Sequence, residues 1–232
     1  LYFCAMLEIL YQDDYLVAIN KPHGLLVHQS PIARDASEFA IQLLRDQINQ
    51  KVFPVHRLDR KTSGVLLFAL DKETNQHLTQ QFTDKTTEKT YWAILRGFAS
   101  NEMTIDYNLF NDSGVEQTAV THFKTLQTSE INLPHGKHQT SRYSFVEAKP
   151  ETGRMHQLRK HFAHILHPIL GDRPHGCNKQ NKLWLEKHNM NTMMLHAKTL
   201  TFTHPKTLEK ITIHANPSDE FLRVAHILKF SL

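Results

Sequence analysis

The feature that most constrains the fold is an uninterrupted apolar run, GVLLFAL, from Gly64 to Leu70. A strand with one wet face alternates apolar and polar residues, whereas a strand covered on both faces is apolar throughout. No apolar run in the chain approaches the ~20 residues that a transmembrane helix needs. The run therefore predicts a strand buried on both faces within a globular core.

Strand-like and helix-like segments surround this run without the regular alternation of βαβ units, which favours an α+β fold. We expect a mixed, largely antiparallel sheet that is flanked by helices. Strand pairs are predicted on either side of Asp13–Asp14 and around Pro205. Further strands are predicted at 88–97, 115–126 and 142–150, a loop at 129–141, and helices from an N-cap at Asp35 to Ile48, at 72–82, at 157–166 and after an N-cap at Ser218.

Composition sets the scale of the molecule. The 232 residues are 40% hydrophobic and 22% charged, as in ordinary globular proteins. Leu1–Ala5 read as a tag or cleavage-site remnant because Met6 is a natural start. We therefore expect one domain over residues 6–232, and we expect the protein to be a monomer.

The chain has only two cysteines, Cys4 and Cys177, so a disulfide framework is not expected. This favours a reducing, cytoplasmic setting.

Positive charge is concentrated in one window, Arg154–His188. This window contains seven Lys and Arg residues, two acidic residues and six of the 17 histidines, whereas the whole chain carries a net charge of only +4. Such a local basic footprint suggests a polyanion, most simply a nucleic acid, although a solvated surface explains the charge equally well. Arg154, Lys179 and Lys182 are the residues of the window that we expect to bind such a nucleic acid.

The segment HRLDRKTSG, residues 56–64, sets Asp59 between Arg57 and Arg60 just before the buried strand. Two nearby cations hold a carboxylate ionised, and an ionised, oriented aspartate can act as a nucleophile or a general base. For this segment alone, a structural ion pair at the mouth of a strand is the simpler interpretation.

Other candidate groups lie further along the chain. Tyr91, on the strand predicted at 88–97, has an aromatic face and a polar tip, and Arg159 lies near the start of a predicted helix, where a guanidinium can bind a carboxylate or a phosphate. Each residue also has a simpler interpretation, Tyr91 as a half-buried strand tyrosine and Arg159 as part of the exposed basic face of a helix. The four histidines of residues 156–167 lack zinc-site spacings, so we expect no metal, and no nucleotide-binding motif appears, so we expect no cofactor.

Five segments, in this order, resemble the RluA-type family of RNA pseudouridine synthases. They are NKPHGLLVH (20–28), HRLDRKTSGVLLF (56–68), KTYWAILRG (89–97), ETGRMHQLRKHFAHILHPILGD (151–172) and LHAKTLTFTHP (195–205). The resemblance implies that Asp59 is the catalytic aspartate, that Tyr91 stacks on the target uracil and that Arg159 pairs with Asp59. It also implies that Leu158 packs against the base and that Arg57 holds the RNA.

The resemblance further implies the pseudouridine synthase fold with a central active-site cleft and without an N-terminal S4-like RNA-binding domain. The residues FAHILHPILGDRPHG (162–176) and KQNK (179–182) are similar to a branch that modifies a uridine in the acceptor stem of tRNA. RNA, and most simply tRNA, is therefore the expected partner, with the target base turned out of its stack. Action on ribosomal RNA, or a non-catalytic RNA-binding or chaperone role, are the alternatives.

Overall fold

The computed structural model describes residues 6–28 and 38–232. The chain forms two compact units. The first comprises the described residues up to Lys89 together with Ala197–Asn216, and the second comprises Thr90–His196 together with Pro217–Leu232. A single catalytic domain over residues 6–232 stays a prediction. Within the described ranges, every helix is too short or too polar to cross a membrane.

Twelve strands and five helices are found in the described residues. The strands are β1 (Glu8–Gln12), β2 (Leu16–Lys21), β3 (Phe53–Pro54), β4 (Ser63–Ala69), β5 (Glu88–Arg96), β6 (Glu102–Asp106), β7 (Leu109–Phe110), β8 (Glu116–Gln117), β9 (Val120–Ile131), β10 (Ser141–Pro150), β11 (Leu195–Thr203) and β12 (Lys210–His214). The helices are α1 (Ala40–Ile48), α2 (Lys72–Thr83), α3 (Gln157–His164), α4 (Asn178–His188) and α5 (Asp219–Ile227).

The first unit is built around β4, whose seven residues are all buried, as the apolar run predicts. The strand order is β1-β2-β4-β11, with β12 paired to β11 and β3 paired to β4. At the start of β4, Gly64 has φ +109°, and a Cβ atom there would lie 2.2 Å from the carbonyl oxygen of Ala197. Only glycine therefore allows β4 to approach β11 this closely.

The second unit contains the strand order β5-β10-β9-β6. One apolar cluster of this unit joins Trp184 of α4 to Phe221 of α5 and to Tyr143 and Phe145 of β10. Helix α5 begins as predicted, because the Ser218 hydroxyl accepts a hydrogen bond from the Phe221 amide. The strand pairings described for both units are antiparallel. The predicted α+β class, with a largely antiparallel sheet flanked by helices, is thus confirmed.

The structure corrects two sequence predictions and contains one helix that was not predicted. Helix α1 begins at Ala40 with Phe39 as its N-cap, whereas the predicted N-cap, Asp35, lies outside the described residues. Strand β9 runs on to Ile131, so residues 129–131 belong to a strand and the loop is shorter than predicted. Helix α4 was not predicted, because only Gln180 and Trp184 are buried in an otherwise polar segment and its apolar stripe is too narrow to stand out.

Candidate active site

The turn that carries Asp59 connects β3 to β4 in the first unit. The amide of Thr62 donates a hydrogen bond of 3.0 Å to the Asp59 carbonyl, which closes the turn immediately before the buried strand. Leu58 and Thr62 are buried on either side of Asp59, which is itself half-buried. A polar turn attached to a rigid strand in this way holds its carboxylate in a defined position.

Lys21 is a buried cation beside this turn, and sequence reasoning did not single it out. Its Nζ donates hydrogen bonds to the carbonyl oxygens of Pro22 (2.8 Å), Leu25 (2.8 Å) and Arg60 (3.3 Å), and its side chain is fully buried. Burial lowers the pKa of the Lys21 ammonium to about 7, and the nearby Asp59 carboxylate opposes this effect. Lys21 thus ties the loop after β2 to the Asp59 turn.

His56 anchors the other end of the segment. Its Nε2 accepts a hydrogen bond of 3.1 Å from the Leu67 amide of β4, and its ring stacks on Phe82 of α2 with 4.8 Å between centroids. Burial, reinforced by the charge of Lys89, lowers the pKa of His56 to about 4. The imidazole is therefore neutral at pH 7, with its proton on Nδ1.

The two arginines that flank Asp59 are both exposed, but they differ in their contacts. The Arg60 Nε donates a hydrogen bond of 3.1 Å to the Gly24 carbonyl, and the Gly24 amide donates one of 2.8 Å to the Arg60 carbonyl. Arg60, which had no predicted role, therefore joins the same two loops as Lys21. Arg57 has its side chain in solvent, where it is accessible to a ligand.

The second unit brings Tyr91 and Leu158 together. Tyr91, on β5, is half-buried and packs against the cluster that contains Leu158 and Phe162 of α3. A tyrosine in this setting is held along one side of its ring. Arg159 follows Leu158 on α3, so these three predicted residues lie in one unit, whereas Asp59 and Arg57 lie in the other.

Arg159 has a carboxylate partner that the sequence did not reveal, Asp172. The guanidinium Nε lies 2.8 Å from Oδ2 and Nη2 lies 2.9 Å from Oδ1, and both residues are buried. The fork binds both carboxylate oxygens of Asp172 at once, which is the strongest geometry for an arginine and a carboxylate. The predicted pairing of Arg159 with Asp59 stays a prediction.

The turn that carries Asp172 is itself held by α4. The Asn181 side chain donates a hydrogen bond of 2.7 Å to the Asp172 carbonyl and accepts one of 3.0 Å from the Gly171 amide. A Cβ atom at Gly176 would lie 2.0 Å from that same Asp172 carbonyl oxygen. The segment between Gly171 and Gly176 is therefore packed tightly enough to fix the carboxylate that orients Arg159.

A buried network holds the start of α3. The Gln157 Nε2 donates to the Thr121 hydroxyl at 3.0 Å, and that hydroxyl lies 3.0 Å from Nδ1 of His161. The His161 Nε2 donates to the Tyr107 carbonyl at 3.0 Å, and burial lowers the pKa of this imidazole. His161 is thus a structural histidine. No group of metal-binding side chains is found in residues 6–28 and 38–232.

The remaining predicted RNA-binding residues lie at the surface of the second unit. Arg154 is half-buried, and its Nε donates to the Thr118 carbonyl at 3.1 Å. Lys179 and Lys182 are exposed on α4, where the Lys182 ammonium lies 3.7 Å from a Glu186 carboxylate oxygen. An exposed i,i+4 pair of this kind contributes little, so both lysines can still bind a phosphate.

The family model described as RNA pseudouridylate synthase matches residues 15–164. A protein of Haemophilus ducreyi named tRNA pseudouridine synthase C is 50% identical over 219 residues, which are 90% of each chain. A Vibrio parahaemolyticus protein of the same name is 46% identical and covers 92% of this chain and 91% of its own. Human RNA pseudouridylate synthase domain containing 4 superposes with a TM-score of 0.74 at 26% identity, over 97% of this chain and 94% of that one. The chain therefore belongs to the RNA pseudouridylate synthase family, whose members are isomerases that act on RNA.

Proposed function

We propose that this protein converts a specific uridine of a tRNA to pseudouridine. The observation that carries the proposal is the 46–50% identity, over nearly the whole chain, to proteins named tRNA pseudouridine synthase C. We further propose that the target lies in the acceptor stem and that the protein works in the cytoplasm as a monomer.

In the reaction, the bond from N1 of uracil to C1′ of ribose breaks, the detached uracil turns, and a bond from C5 to C1′ forms. The C5 proton leaves and N1 regains a proton, so the product is an isomer of the substrate. Asp59 is the proposed catalytic group. Attack on the sugar, attack on the ring and removal of the 2′ proton all require it to be ionised.

The other residues bind and orient the target nucleotide. Tyr91 stacks on the uracil once that base has left the helical stack, and Leu158 packs against it. Arg57, exposed beside Asp59, holds the RNA with the target turned out, and Arg154, Lys179 and Lys182 bind backbone phosphates. Arg159 is the proposed charge partner of Asp59.

The experiment measures tritium release from tRNA transcripts that contain uridine labelled at C5. We expect release by the wild type, none by Asp59→Asn, and normal release by the matched control Asp14→Asn, which changes an exposed aspartate of the same unit. Retained RNA binding by Asp59→Asn shows that the catalytic step alone is lost. Full release by Asp59→Asn would overturn the catalytic role and would favour a non-catalytic RNA-binding protein.

A second measurement identifies the RNA. Pseudouridine is mapped in all tRNAs and ribosomal RNAs from cells with and without the protein. The proposal expects one uridine to remain unmodified in the acceptor stem of a tRNA when the protein is missing. Loss at ribosomal positions alone would replace tRNA by ribosomal RNA, and loss elsewhere in tRNA would correct the acceptor-stem assignment.

A further inference from the structure

A cavity of about 250 Å³ opens in the second unit, where β5 ends and β10 begins. This volume is larger than the ~30 Å³ that one water molecule occupies in the liquid, but it is smaller than most pockets that bind drug-sized ligands. Its lining contains no carboxylate among the described residues. The lining residues are Arg96, Gly97, His135, His138, Thr140, Ser141, Arg142 and Gln180.

Arg96 is one of the two arginines that line this cavity. It is half-buried at the last position of β5, opposite Tyr143 of β10 in the register of the two strands. Its backbone is fixed, since the amide donates to the Pro168 carbonyl at 3.0 Å and the carbonyl lies 2.9 Å from the His167 Nδ1. Its guanidinium forms no ion pair within the part of the chain that the structure describes.

A half-buried guanidinium without a carboxylate partner is unusual, because removing a charge from water costs free energy and desolvated charges are normally paired. Arg142 contributes a second guanidinium, 5.2 Å above the Phe98 ring and 3.2 Å from a Glu130 carboxylate oxygen. Lys179 at the start of α4 adds a further positive charge, and together with Arg96 it lowers the pKa of His135 beyond the effect of burial. The potential at this cavity is therefore positive.

A buried hydrogen-bond network holds two residues of the lining, Ser141 and Gln180. Gln180 and Trp184 both donate to the Tyr143 phenolic oxygen, at 2.8 and 2.7 Å. That phenol is also hydrogen-bonded to Ser141, whose hydroxyl donates to the Leu133 carbonyl at 2.7 Å. All the side chains of this network are buried, so the polar groups that border Arg96 are held before any ligand arrives.

A tight turn carries two other residues of the lining, His135 and His138. The His135 amide donates to the His138 carbonyl at 2.9 Å, and the His138 amide donates to the His135 carbonyl at 3.1 Å. Gly136, at φ +61°, allows the chain to reverse between them. Two imidazoles thus border the cavity, and each can donate a hydrogen bond.

We propose that this cavity is a phosphate-binding site in which Arg96 and Arg142 hold a phosphate group, supplied by the RNA backbone at a distance along the chain from the target nucleotide. Guanidinium groups match a phosphate in geometry as well as in charge. The identification of RNA as the source rests on the proposed function, whereas the phosphate chemistry rests on the cavity alone.

The test measures the affinity of the full-length protein for an unmodified tRNA transcript between about 50 and 200 mM salt. Arg96→Gln and Arg142→Gln should each weaken binding about tenfold and reduce the slope of log K against log[salt] by about 0.7–0.9, the loss of one phosphate contact. Arg96→Lys should retain the slope, because it keeps the charge. The matched control is Lys149→Gln, also on β10, whose ammonium lies 3.3 Å from Glu147 and which borders a cavity with two carboxylates.

Inorganic phosphate is then titrated into the wild type and into Arg96→Gln without RNA, followed by nuclear magnetic resonance. Binding to the wild type alone, with an unchanged salt slope for tRNA in both arginine variants, assigns the site to a free phosphate and overturns the RNA source. Unchanged tRNA binding and no phosphate binding overturn the proposal entirely. Neither measurement needs turnover. If the protein binds tRNA without isomerising it, the proposed catalytic function is wrong, but the proposed phosphate site is not affected.

Discussion

Arg159 and Asp172 form a buried, bidentate ion pair in which Nε lies 2.8 Å from Oδ2 and Nη2 lies 2.9 Å from Oδ1. The pair fixes the direction of a guanidinium that the proposed mechanism needs. It also means that any change at Arg159 leaves a buried carboxylate without its partner. The effects of Arg159 on turnover and on stability must therefore be measured separately.

The first prediction concerns this pair. Asp172→Asn should lower the free energy of unfolding by about 3 kcal/mol, because a buried charge loses its partner, and should also reduce turnover. Urea denaturation and tritium release measure the two effects. The matched control is Glu220→Gln, which breaks an exposed fork with Arg223 in the same unit and should cost at most about 1 kcal/mol. Equal costs for the two variants would show that the buried pair does not stabilise the fold.

The second prediction concerns the pH dependence of stability. The folded pKa of His56 is about 4, below the ~6.5 of an unfolded histidine, so folding favours the neutral ring. The stability that His56 contributes is complete above pH 6.5 and is lost as the pH falls through 4, a change of about 3 kcal/mol. Urea denaturation at several pH values measures this. His56→Gln should flatten the curve between pH 4 and 6.5, whereas His77→Gln, an exposed histidine on α2, should not. An unchanged curve in His56→Gln would exclude this role.

The third prediction links Lys21 to Asp59. The Asp59 carboxylate raises the pKa of the buried ammonium, so Asp59→Asn should move that pKa below its present value of about 7. Because the folded pKa is depressed from an unfolded value of ~10.4, stability should increase between pH 7 and 10, and Lys21→Met should remove this increase. Carbon-13 resonances of the lysine side chain follow the titration. A Lys21 pKa that does not respond to Asp59→Asn would contradict the link.

The fourth prediction concerns the close approach of β4 to β11 at Gly64. Gly64→Ala should destabilise the protein by about 3 kcal/mol or more, because the new methyl group meets the Ala197 carbonyl at 2.2 Å in addition to the strain of φ +109°. Gly114→Ala is the matched control, since its φ is +76° and nothing lies within 4 Å of the new atom. It should cost only about 1 kcal/mol. Thermal unfolding compares the two, and similar costs would show that the close approach of β4 to β11 is easily relaxed.

Strands and helices with a strong local pattern were predictable. The apolar run of β4, the hairpin around Pro205 and the Ser218 cap each depend on a few adjacent residues, and each is present in the structure. Helix α4 and the short strands β6 and β7 were missed, because their burial depends on residues far away in the chain. Tyr91 and Leu158 were predicted as site residues, and the structure brings them into one cluster.

The partners of the site residues could not be read from the sequence. Asp172 lies 13 residues after Arg159, and nothing local distinguishes it from other acids as the partner. Lys21 is held by three main-chain carbonyls, which every residue possesses, so its environment leaves no mark in the sequence. A lysine at the end of an apolar strand, directly before Pro22, is the only hint, and it is a weak one.

Because Lys21 is buried, its chemical reactivity reports on the opening of the loops around it. A buried amine with a pKa of about 7 is a good nucleophile at neutral pH, but an acylating reagent reaches it only while the loops around it are open. The rate at which Lys21 is acylated therefore measures how often the Asp59 turn detaches from the loop after β2. Slower acylation in the presence of RNA would reveal that the substrate holds this turn closed.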